Sequence, residues 1–183
     1  MIEKNTHRMA QIIQDLLQLS QLEANKKIQD RFMPVPIQPV INSSIQLCQE
    51  KATQKGISIQ YQDESGNAQI LGSNDLLNQV MTNLVDNAIK YSDENGNIQI
   101  RSRILAGVLR VSVQDDGPGI DPKHADRVFQ RFYRTDKARS RDKGGTGLGL
   151  AIVKHIIQGH NGQIHLEHPD SGGASFVITL PLL

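Results

Sequence analysis

The sequence has few of the features that mark several broad classes of protein. Its charges nearly cancel, with 20 Lys and Arg against 19 Asp and Glu, so composition does not favour binding to nucleic acid or to a membrane surface. Aromatic residues make up 4% and tryptophan is absent, which disfavours a surface that stacks bases. The single cysteine, Cys48, excludes a disulfide framework within this sequence and suits a reducing environment.

Membrane and export signals are also missing from these 183 residues. No apolar run approaches the roughly 20 residues that a membrane-spanning helix requires. Residues 1–15 are polar and amphipathic, unlike a secretory signal. We therefore expect a cytoplasmic chain with no membrane contact of its own, while a membrane-anchored parent protein is left open. The length predicts one ordinary domain plus an appendage.

Glycine is concentrated in one stretch, Gly144–Leu150, which has four glycines in six residues and leads into an apolar helical pattern. Glycine is unfavourable inside helices and strands, so we predict a loop that enters a helix over 147–159. Backbone N–H groups at such a junction can cradle phosphate, although a flexible connection explains the glycines alone equally well. A P-loop is excluded because Gly149-Leu150 replaces its Lys-Ser or Lys-Thr. The glycine pattern of dinucleotide-binding folds is also absent. Its third position requires a small residue, and that position is Leu150 or Ile152, depending on the glycines from which the pattern is counted.

The periodicity of apolar residues predicts an α+β fold. We expect a mixed sheet of about five strands, with the helices layered on one face. Gly56 should end the second helix, and Ser73 or Asn74 should begin the third. The predicted helices are 3–25, 38–55, 74–91 and 147–159, and the predicted strands are 57–61, 69–71, 97–104, 108–114, 162–168 and 174–180.

The first helix is amphipathic and is separated from the rest of the chain by prolines. These prolines, at 34, 36 and 39, divide the sequence into a helix at 1–28, a linker at 29–37 and a domain at 38–183. The apolar stripe of this helix must be buried, either on its own domain or in a bundle with other sequence or a second subunit. The separating prolines favour the bundle.

One face of the predicted helix 74–91 carries an unusual set of polar residues. Asn83, Asn87 and Lys90 follow each other at intervals of four and three, with Tyr91 beside them. A solvated face is one interpretation. The other is a ligand face, in which an amide oxygen completes a Mg²⁺ shell, a lysine binds phosphate and a ring lies beside a base.

A second glycine turn comes after the strand at 108–114. Asp115 ends that strand, and Gly117 and Gly119 lie within the next four positions. A carboxylate there can accept a hydrogen bond from the exocyclic amine of adenine, which guanine lacks at the same position. A tight turn with no ligand is the commoner meaning of such residues.

Taken in order, these motifs resemble the N, G1 and G2 boxes of sensor histidine kinases. The N box is Asn83-x-x-x-Asn87, and the G1 and G2 boxes are Asp115-x-Gly117-x-Gly119 and Gly145-x-Gly147-x-Gly149. Residues 129–134, Phe-Gln-Arg-Phe-Tyr-Arg, resemble the F box of the same family. Residues 3–25 resemble the second helix of the hairpin that dimerises these kinases and carries their phosphoryl group. The stretch 132–154 is similar to phosphate-regulon-type sensor kinases.

The resemblance implies the two-layer α/β sandwich of the Bergerat type, shared with gyrase, heat-shock protein 90 and mismatch-repair ATPases. It implies ATP and Mg²⁺ as ligands, with Asp115 on the adenine amine, Asn87 on the metal, and Tyr91 and Ile120 beside the base. Asn83, Lys90 and Arg134 would be catalytic by facing the phosphates. The remaining nucleotide-binding residues implied are Gly117, Gly119, Tyr133, Lys137, Gly145, Thr146, Gly147, Leu148, Gly149 and Leu150, with a lid over about 134–146.

Asn83 separates the kinases from the ATPases of this fold, which carry a water-activating glutamate there. An amide has no useful pKa, so Asn83 cannot act as a general base, and the site should hold ATP until a better nucleophile arrives. In the family that nucleophile is a histidine in a His-(Glu/Asp)-x-(Arg/Lys)-x-Pro motif, which this sequence lacks. His7 lies on what resembles the other helix of the hairpin. We therefore expect a truncated kinase whose acceptor lies elsewhere.

The resemblance also implies partners, and it leaves alternatives open. The expected partners are the phosphotransfer hairpin of a parent kinase and the receiver domain of a response regulator, with a homodimer through residues 3–25 as an open alternative. A regulator that binds nucleotide without transfer is a second interpretation, and an anti-sigma-type serine kinase of the same fold is a third. A metal site built from His155, His160, His165 and His168 is disfavoured, because their spacing does not suit ligands.

Overall fold

The computed structural model describes residues 2–24, 29, 32–135 and 145–183. In chain order the elements are α1 (Ile2–Ala24), β1 (Met33–Pro36), α2 (Ile37–Gln54), β2 (Ser58–Glu64), β3 (Gln69–Gly72), α3 (Asn74–Tyr91), β4 (Asn97–Leu105), β5 (Val108–Gln114), α4 (Gly149–Gly159), β6 (Gln163–Glu167) and β7 (Ser175–Pro181). Short 3₁₀ turns at Pro122–His124 and Arg127–Phe129 lie between β5 and α4. Every helix among the described residues is too short or too polar to span a lipid bilayer.

The main sheet has five strands in the order β2-β4-β5-β7-β6. β2 runs parallel to β4, and the other neighbouring pairs are antiparallel. Along β4, Ile98 and Ile100 are fully buried while Arg101 is exposed, which is the alternation expected of a sheet covered on one face. The mixed five-stranded sheet confirms the predicted α+β class.

The helices α2, α3 and α4 supply the second layer. On α3, the buried side chains recur every three or four residues and join those of the sheet in one core. The buried residues of α3 are Leu77, Val80, Met81, Leu84, Val85, Ala88 and Ile89. The remaining side of α3 can therefore present polar residues, among them Asn83 and Asn87.

The helix ends predicted at Gly56 and Ser73 are confirmed. Ser73 is the N-cap of α3, where its hydroxyl accepts a hydrogen bond from the Leu76 N–H at 3.5 Å. Gly56 lies just after the end of α2 with a φ of +69°, which reverses the chain. Ala106 and Gly107 have φ values of +50° and +80° and join β4 to β5 in a hairpin.

The element bounds differ from the sequence prediction at several places, and two of these differences have a clear physical reason. Residues 33–36, predicted as part of a linker, form β1, which pairs antiparallel with β3 and buries Val35. Proline is compatible with a strand of this kind because a two-stranded sheet has only edge strands. Helix α4 begins at Gly149 rather than at 147, since Gly147 has a φ of +77°, which a right-handed helix cannot contain.

The first helix is buried on its own domain over only part of its apolar stripe. Its C-terminal half contacts α4, with Leu19 only 2% exposed in the common core. Its middle part leaves Met9, Ile13 and Leu17 exposed at 63%, 54% and 59%. Burial on its own domain therefore accounts for one end of the apolar stripe. The helix bundle stays a prediction for the exposed part.

Candidate functional site

Helix α3 presents the predicted ligand face. Asn83, Asn87 and Lys90 are half-buried along its second half, and Tyr91 ends the helix with 38% exposure. The Lys90 ammonium lies 5.2 Å from the centre of the Tyr91 ring. Within the described part of the chain, the side-chain amides of Asn83 and Asn87 form no hydrogen bond. These amides are thus available to a ligand.

Three glycines bring the two glycine turns against this face of α3. A Cβ atom on Gly149 would lie 3.6 Å from the Asn83 Oδ1, and one on Gly145 would overlap the Lys90 ammonium. A Cβ atom on Gly117 would lie 2.5 Å from the Tyr91 carbonyl oxygen. The N, G1 and G2 motifs, which are separate in sequence, therefore meet at one place.

Asp115 forms the buried end of the site. Its side chain is 4% exposed, and its Oδ1 accepts hydrogen bonds from the N–H groups of Gly117 at 3.0 Å and Ala174 at 3.3 Å. Burial raises the pKa of this carboxyl above its usual value, while the two backbone donors act in the opposite direction. Its other oxygen, Oδ2, has no hydrogen bond among the described residues and can accept one from a ligand.

The G1 turn is held by contacts on both sides. Gly119 packs against the backbone of Gly173, where an added Cβ would lie 2.8 Å from the Gly173 carbonyl oxygen. On the other side, Asp116 Oδ2 accepts a hydrogen bond from the Asn97 N–H at 2.6 Å, at the start of β4. Ile120 is half-buried and packs against the core. The turn that carries Asp115 is therefore fixed by backbone packing.

The G2 loop is joined to the F box. Gly147, in its left-handed conformation, accepts a hydrogen bond from the Phe132 N–H at 2.9 Å. The Arg134 guanidinium donates to the Gly145 carbonyl at 2.9 Å, which places a cation near Lys90. Two positive side chains therefore lie where Gly145 of the G2 loop meets the end of α3.

The end of the G2 loop also contacts α1. The Thr146 hydroxyl donates to Asp15 Oδ2 at 2.8 Å and accepts a hydrogen bond from the Leu148 N–H at 3.2 Å. Leu148 is 0% exposed and packs in the core, so only its backbone can face a ligand. Leu150 is half-buried and also packs on the core. For these two residues, a role in binding rests on backbone groups.

Tyr133 contacts two residues of the loop region between β5 and α4. Its hydroxyl is 2.6 Å from His124 Nδ1, and the Arg127 guanidinium lies 4.4 Å from the centre of its ring. These contacts hold the ring of Tyr133, which belongs to the F box, against His124 and Arg127. Contact between Tyr133 and a nucleotide stays a prediction.

Other sequence predictions lie outside the described residues. Lys137 and the central part of the predicted lid, 136–144, belong to this group. The side chain of His7 is likewise not described. Their roles stay as predicted from the sequence.

The residues present fit a Mg²⁺ ion through an amide oxygen rather than through carboxylates. Among the described residues, no group of three or more His, Cys, Asp or Glu side chains could hold a metal. Asn87 offers one hard oxygen ligand, and Mg²⁺ typically takes few protein ligands and completes its shell with phosphate oxygens and water. The residues of the site therefore fit a Mg²⁺ ion that binds together with the phosphates of a nucleotide.

Sequence reasoning missed three residues that shape the site. Gly173 packs on the backbone of Asp115. Asp116 links the G1 turn to β4 through its hydrogen bond with the Asn97 N–H. Lys55 bonds to the end of α3 from α2. The paired glycines at 172 and 173 gave a signal for the first of these. The other two are contacts between distant segments and have no local pattern.

Comparison with known proteins agrees with this geometry. Residues 72–183 match the family described as histidine kinase-, DNA gyrase B-, and HSP90-like ATPase. The sensor-like histidine kinase SenX3 of Mycolicibacterium smegmatis is 38% identical over 176 residues, which cover 96% of this chain and 45% of that protein. The chain therefore spans less than half the length of this curated relative.

Two solved structures are similar over nearly all of the chain. Full-length ShkA in complex with AMPPNP has a TM-score of 0.82 and 29% identity, covering 95% of this chain and 36% of that one. The histidine kinase ThkA in complex with the response regulator protein TrrA has a TM-score of 0.78 and 27% identity, covering 100% of this chain and 49% of that one.

Proposed function

Because the chain belongs to the histidine kinase-, DNA gyrase B- and HSP90-like ATPase family, with sensor histidine kinases among its relatives, we propose that it is a kinase catalytic domain. In this proposal it binds ATP with Mg²⁺ and transfers the γ-phosphoryl group to a histidine on a separate phosphotransfer helix. The support is the meeting of Asn83, Lys90 and the Tyr91 carbonyl with the two glycine turns, beside the buried Asp115.

Asp115 would select adenine. Its Oδ1 is held by two backbone N–H groups, so Oδ2 can accept a hydrogen bond from the exocyclic amine without any rearrangement of the carboxylate. Guanine would present a carbonyl oxygen to the same acceptor and be repelled. Tyr91 and Ile120 would flank the base, and Gly117 and Gly119 would leave space for it.

Lys90 and Arg134 would bind the phosphates. Both are cations at the end of the site that the G2 loop reaches, and phosphoryl transfer depends mainly on alignment and on neutralising charge. Mg²⁺, held on the protein by Asn87, would supply further neutralisation when bound. Backbone groups between Gly145 and Leu150, next to the start of α4, provide further donors.

Asn83 would make the site a poor ATPase. Its amide lies beside Gly149, on the G2 side of the site, and cannot remove a proton from water. ATP would therefore stay intact until an imidazole nucleophile is aligned with it. This predicts very slow hydrolysis by the chain alone.

The proposed partners are a phosphotransfer hairpin and a response regulator receiver domain. The receiver domain is supported by the structure of the related ThkA with TrrA. The exposed residues Met9, Ile13 and Leu17 of α1 support packing with another helix, either of a hairpin or of a second copy of the chain. We propose a cytoplasmic location, which the buried free thiol of Cys48 and the use of ATP support, with a parent protein that can be membrane-anchored.

The proposal is tested by incubating the chain with γ-labelled ATP, with and without a separately purified phosphotransfer hairpin from a related kinase. We expect acid-labile label to appear on the hairpin and not on the chain itself. No label should be transferred to the hairpin when Asn87→Ala replaces the wild-type chain. A matched control is Asn78→Ala, because Asn78 lies on the same helix but bonds to the Asn74 carbonyl at 3.0 Å.

The other outcomes separate the alternatives. ATP binding with no transfer to any hairpin would support a regulator, and acid-stable label on a protein serine would support the anti-sigma-type kinase. Rapid phosphate release without a hairpin would show that the chain acts as an ATPase of this fold rather than as a kinase. Acid-labile label on the chain alone would show that it holds an acceptor, with His7 the first position to examine.

A further inference from the structure

We propose that Lys55, at the end of α2 and outside all four motifs, is a positioning residue for the nucleotide site. Its ammonium group holds the last turn of α3 in place, and that turn carries Lys90 and Tyr91. This inference rests on the proposed function, since it concerns how the same site is aligned.

The contacts of Lys55 satisfy the end of α3. Its Nζ donates to the carbonyl oxygens of Ile89 at 2.8 Å and Lys90 at 3.3 Å, and to that of Ser92. The last carbonyls of a helix have no partner within the helix and carry partial negative charge. An ammonium group has three donors and a full positive charge, so it suits these oxygens.

The held turn lies between Lys55 and the G1 turn. The Tyr91 carbonyl lies close to Gly117, where an added Cβ would come within 2.5 Å of that oxygen. Lys90, one residue earlier, lies next to Gly145 of the G2 loop. A displacement at this end of α3 would therefore move the phosphate-binding ammonium relative to Asp115. Small misplacements of positioned groups have large effects on binding and catalysis.

Lys55 is itself firmly anchored. Its N–H donates to the Ala52 carbonyl at 3.1 Å, and its carbonyl accepts a hydrogen bond from the Asn95 N–H at 3.0 Å. Gly56 then turns the chain back with a φ of +69°. Both backbone groups of Lys55 are thus used, and the α3–β4 connection is attached to the same residue. This makes the end of α2 a fixed support for the end of α3.

Lys51 provides a matched control. It lies one turn earlier on α2 and forms an ion pair with Asp86 of α3, with side chains 64% and 40% exposed. Both lysines therefore link α2 to α3, and only Lys55 contacts the carbonyls next to the nucleotide face. Exposed ion pairs contribute little to stability.

The test compares ATP binding by calorimetry for Lys55→Met, Lys51→Met and the wild-type chain. We expect about tenfold weaker ATP binding for Lys55→Met, as for the loss of hydrogen bonds from a charged group, and less than about twofold for Lys51→Met. Lys55→Arg keeps the charge and donors and should restore most of the affinity. Equal affinities for wild type and a folded Lys55→Met or Lys55→Gln would overturn the proposal.

A double-mutant cycle separates positioning from general stabilisation. If Lys55 acts by placing Lys90, then Lys55→Met should weaken ATP binding by less than about twofold in a Lys90→Met background. An unchanged tenfold loss in that background would contradict the proposal.

A binding-independent measurement separates this inference from the proposed function. Hydrogen exchange at the amides of residues 89–92 should rise about tenfold in Lys55→Met and stay unchanged in Lys51→Met, because only the first loses contacts to the end of α3. If the wild-type chain binds no ATP, the proposed function fails, and this exchange result still tests whether Lys55 holds the helix end. If Lys55→Met does not fold, Lys55→Gln takes its place in each measurement.

Discussion

The two ends of the candidate site are built in different ways. We call them the base end, where Asp115 is proposed to bind adenine, and the phosphate end, where Lys90 and Arg134 are proposed to bind the phosphates. At the base end, Asp115 is 4% exposed and fixed by two backbone N–H groups, and the turn around it packs against Gly173. At the phosphate end, the functional groups are half-buried side chains of α3, together with Arg134 on the Gly145 carbonyl.

Because of this difference, we expect the two ends to contribute differently to folding stability and to nucleotide binding. The base end is part of the packed core, so changes there should affect folding as well as the choice of base. The phosphate end depends on side chains whose removal leaves the core intact, so changes there should affect binding and transfer with little loss of stability. Substitutions at the two ends should therefore have separable effects on unfolding and on nucleotide binding.

The largest effect is expected for Gly173→Ala at the base end. Gly173 has a φ of +79°, and a Cβ there would overlap the carbonyl oxygen of Asp115. We expect a loss of roughly 2–4 kcal/mol in the free energy of unfolding, from backbone strain and steric overlap together. Denaturant unfolding with urea measures it.

Gly172→Ala is the control for that prediction. Gly172 has a φ of +87°, and no atom lies within 4 Å of its added Cβ, so only the backbone strain applies. We expect a loss of about 1 kcal/mol. Equal destabilisation by the two variants would show that close packing on Asp115 does not fix the base end.

The next largest effect is expected for Asp115→Asn. The new amide oxygen can still accept hydrogen bonds from Gly117 and Ala174, while its NH₂ group would oppose the adenine amine. We expect ATP binding to weaken by roughly 1.5–3 kcal/mol, or about 10- to 150-fold, with a smaller change for GTP. Calorimetry with both nucleotides measures the difference. A parallel loss for ATP and GTP would mean that Asp115 does not recognise the base.

A smaller effect, confined to binding, is expected for Asn87→Ala. Loss of the amide oxygen should weaken ATP binding about tenfold in the presence of Mg²⁺ and have little effect when the metal is chelated. The melting temperature should stay close to that of the wild-type chain, because the amide has no hydrogen bond in the described structure. A large drop in melting temperature would instead show that the phosphate end, like the base end, contributes to folding.

The smallest effect concerns the far end of α3, at Ser73. His160 is 2% exposed; its Nε2 accepts a hydrogen bond from the Ser73 N–H at 3.1 Å, and its Nδ1 donates to the Ile156 carbonyl at 2.8 Å. Burial lowers the pKa of His160 in the folded state. Below the unfolded-state pKa of about 6.5, the unfolded chain then binds more protons than the folded one.

Stability should therefore decrease as the pH falls from about 6.5 towards the lowered folded-state pKa of His160. Urea unfolding between neutral and mildly acidic pH measures the slope, and His160→Gln should remove this contribution. An identical slope in wild type and His160→Gln would refute the assignment.

The phosphate end was easier to predict from the sequence than the base end. Asn83, Asn87 and Lys90 share a face because a helix repeats every 3.6 residues, so their proximity can be read from spacing. Asp115 was predicted from its position before a glycine turn. Its support by Gly173 was missed. The paired glycines at 172 and 173 signal a turn, but their spacing from Asp115 carries no information about the packing of the two segments.

The helices and strands show the same dependence on local pattern. Apolar periodicity predicted α2, α3, α4 and the main sheet, and the boundaries failed where backbone conformation overrode the pattern. Gly147 delays the start of α4, and the prolines around Val35 concealed β1, whose pairing with β3 depends on a distant segment. The role of Lys55 was not predicted for the same reason, since Lys55 contacts Lys90 of α3, which lies 35 residues further along the chain.

In the proposed function, ATP recognition depends on a base end, around Asp115, that is already formed before the nucleotide binds. Calorimetric titration of the wild-type chain with ATP and with GTP, in the presence of Mg²⁺ at neutral pH, tests this dependence. We expect saturable ATP binding that is at least about tenfold tighter than GTP binding, because one nucleotide makes a charge-assisted hydrogen bond with Asp115 and the other opposes it. Equal affinities for the two nucleotides would show that the preformed Asp115 carboxylate does not select the base.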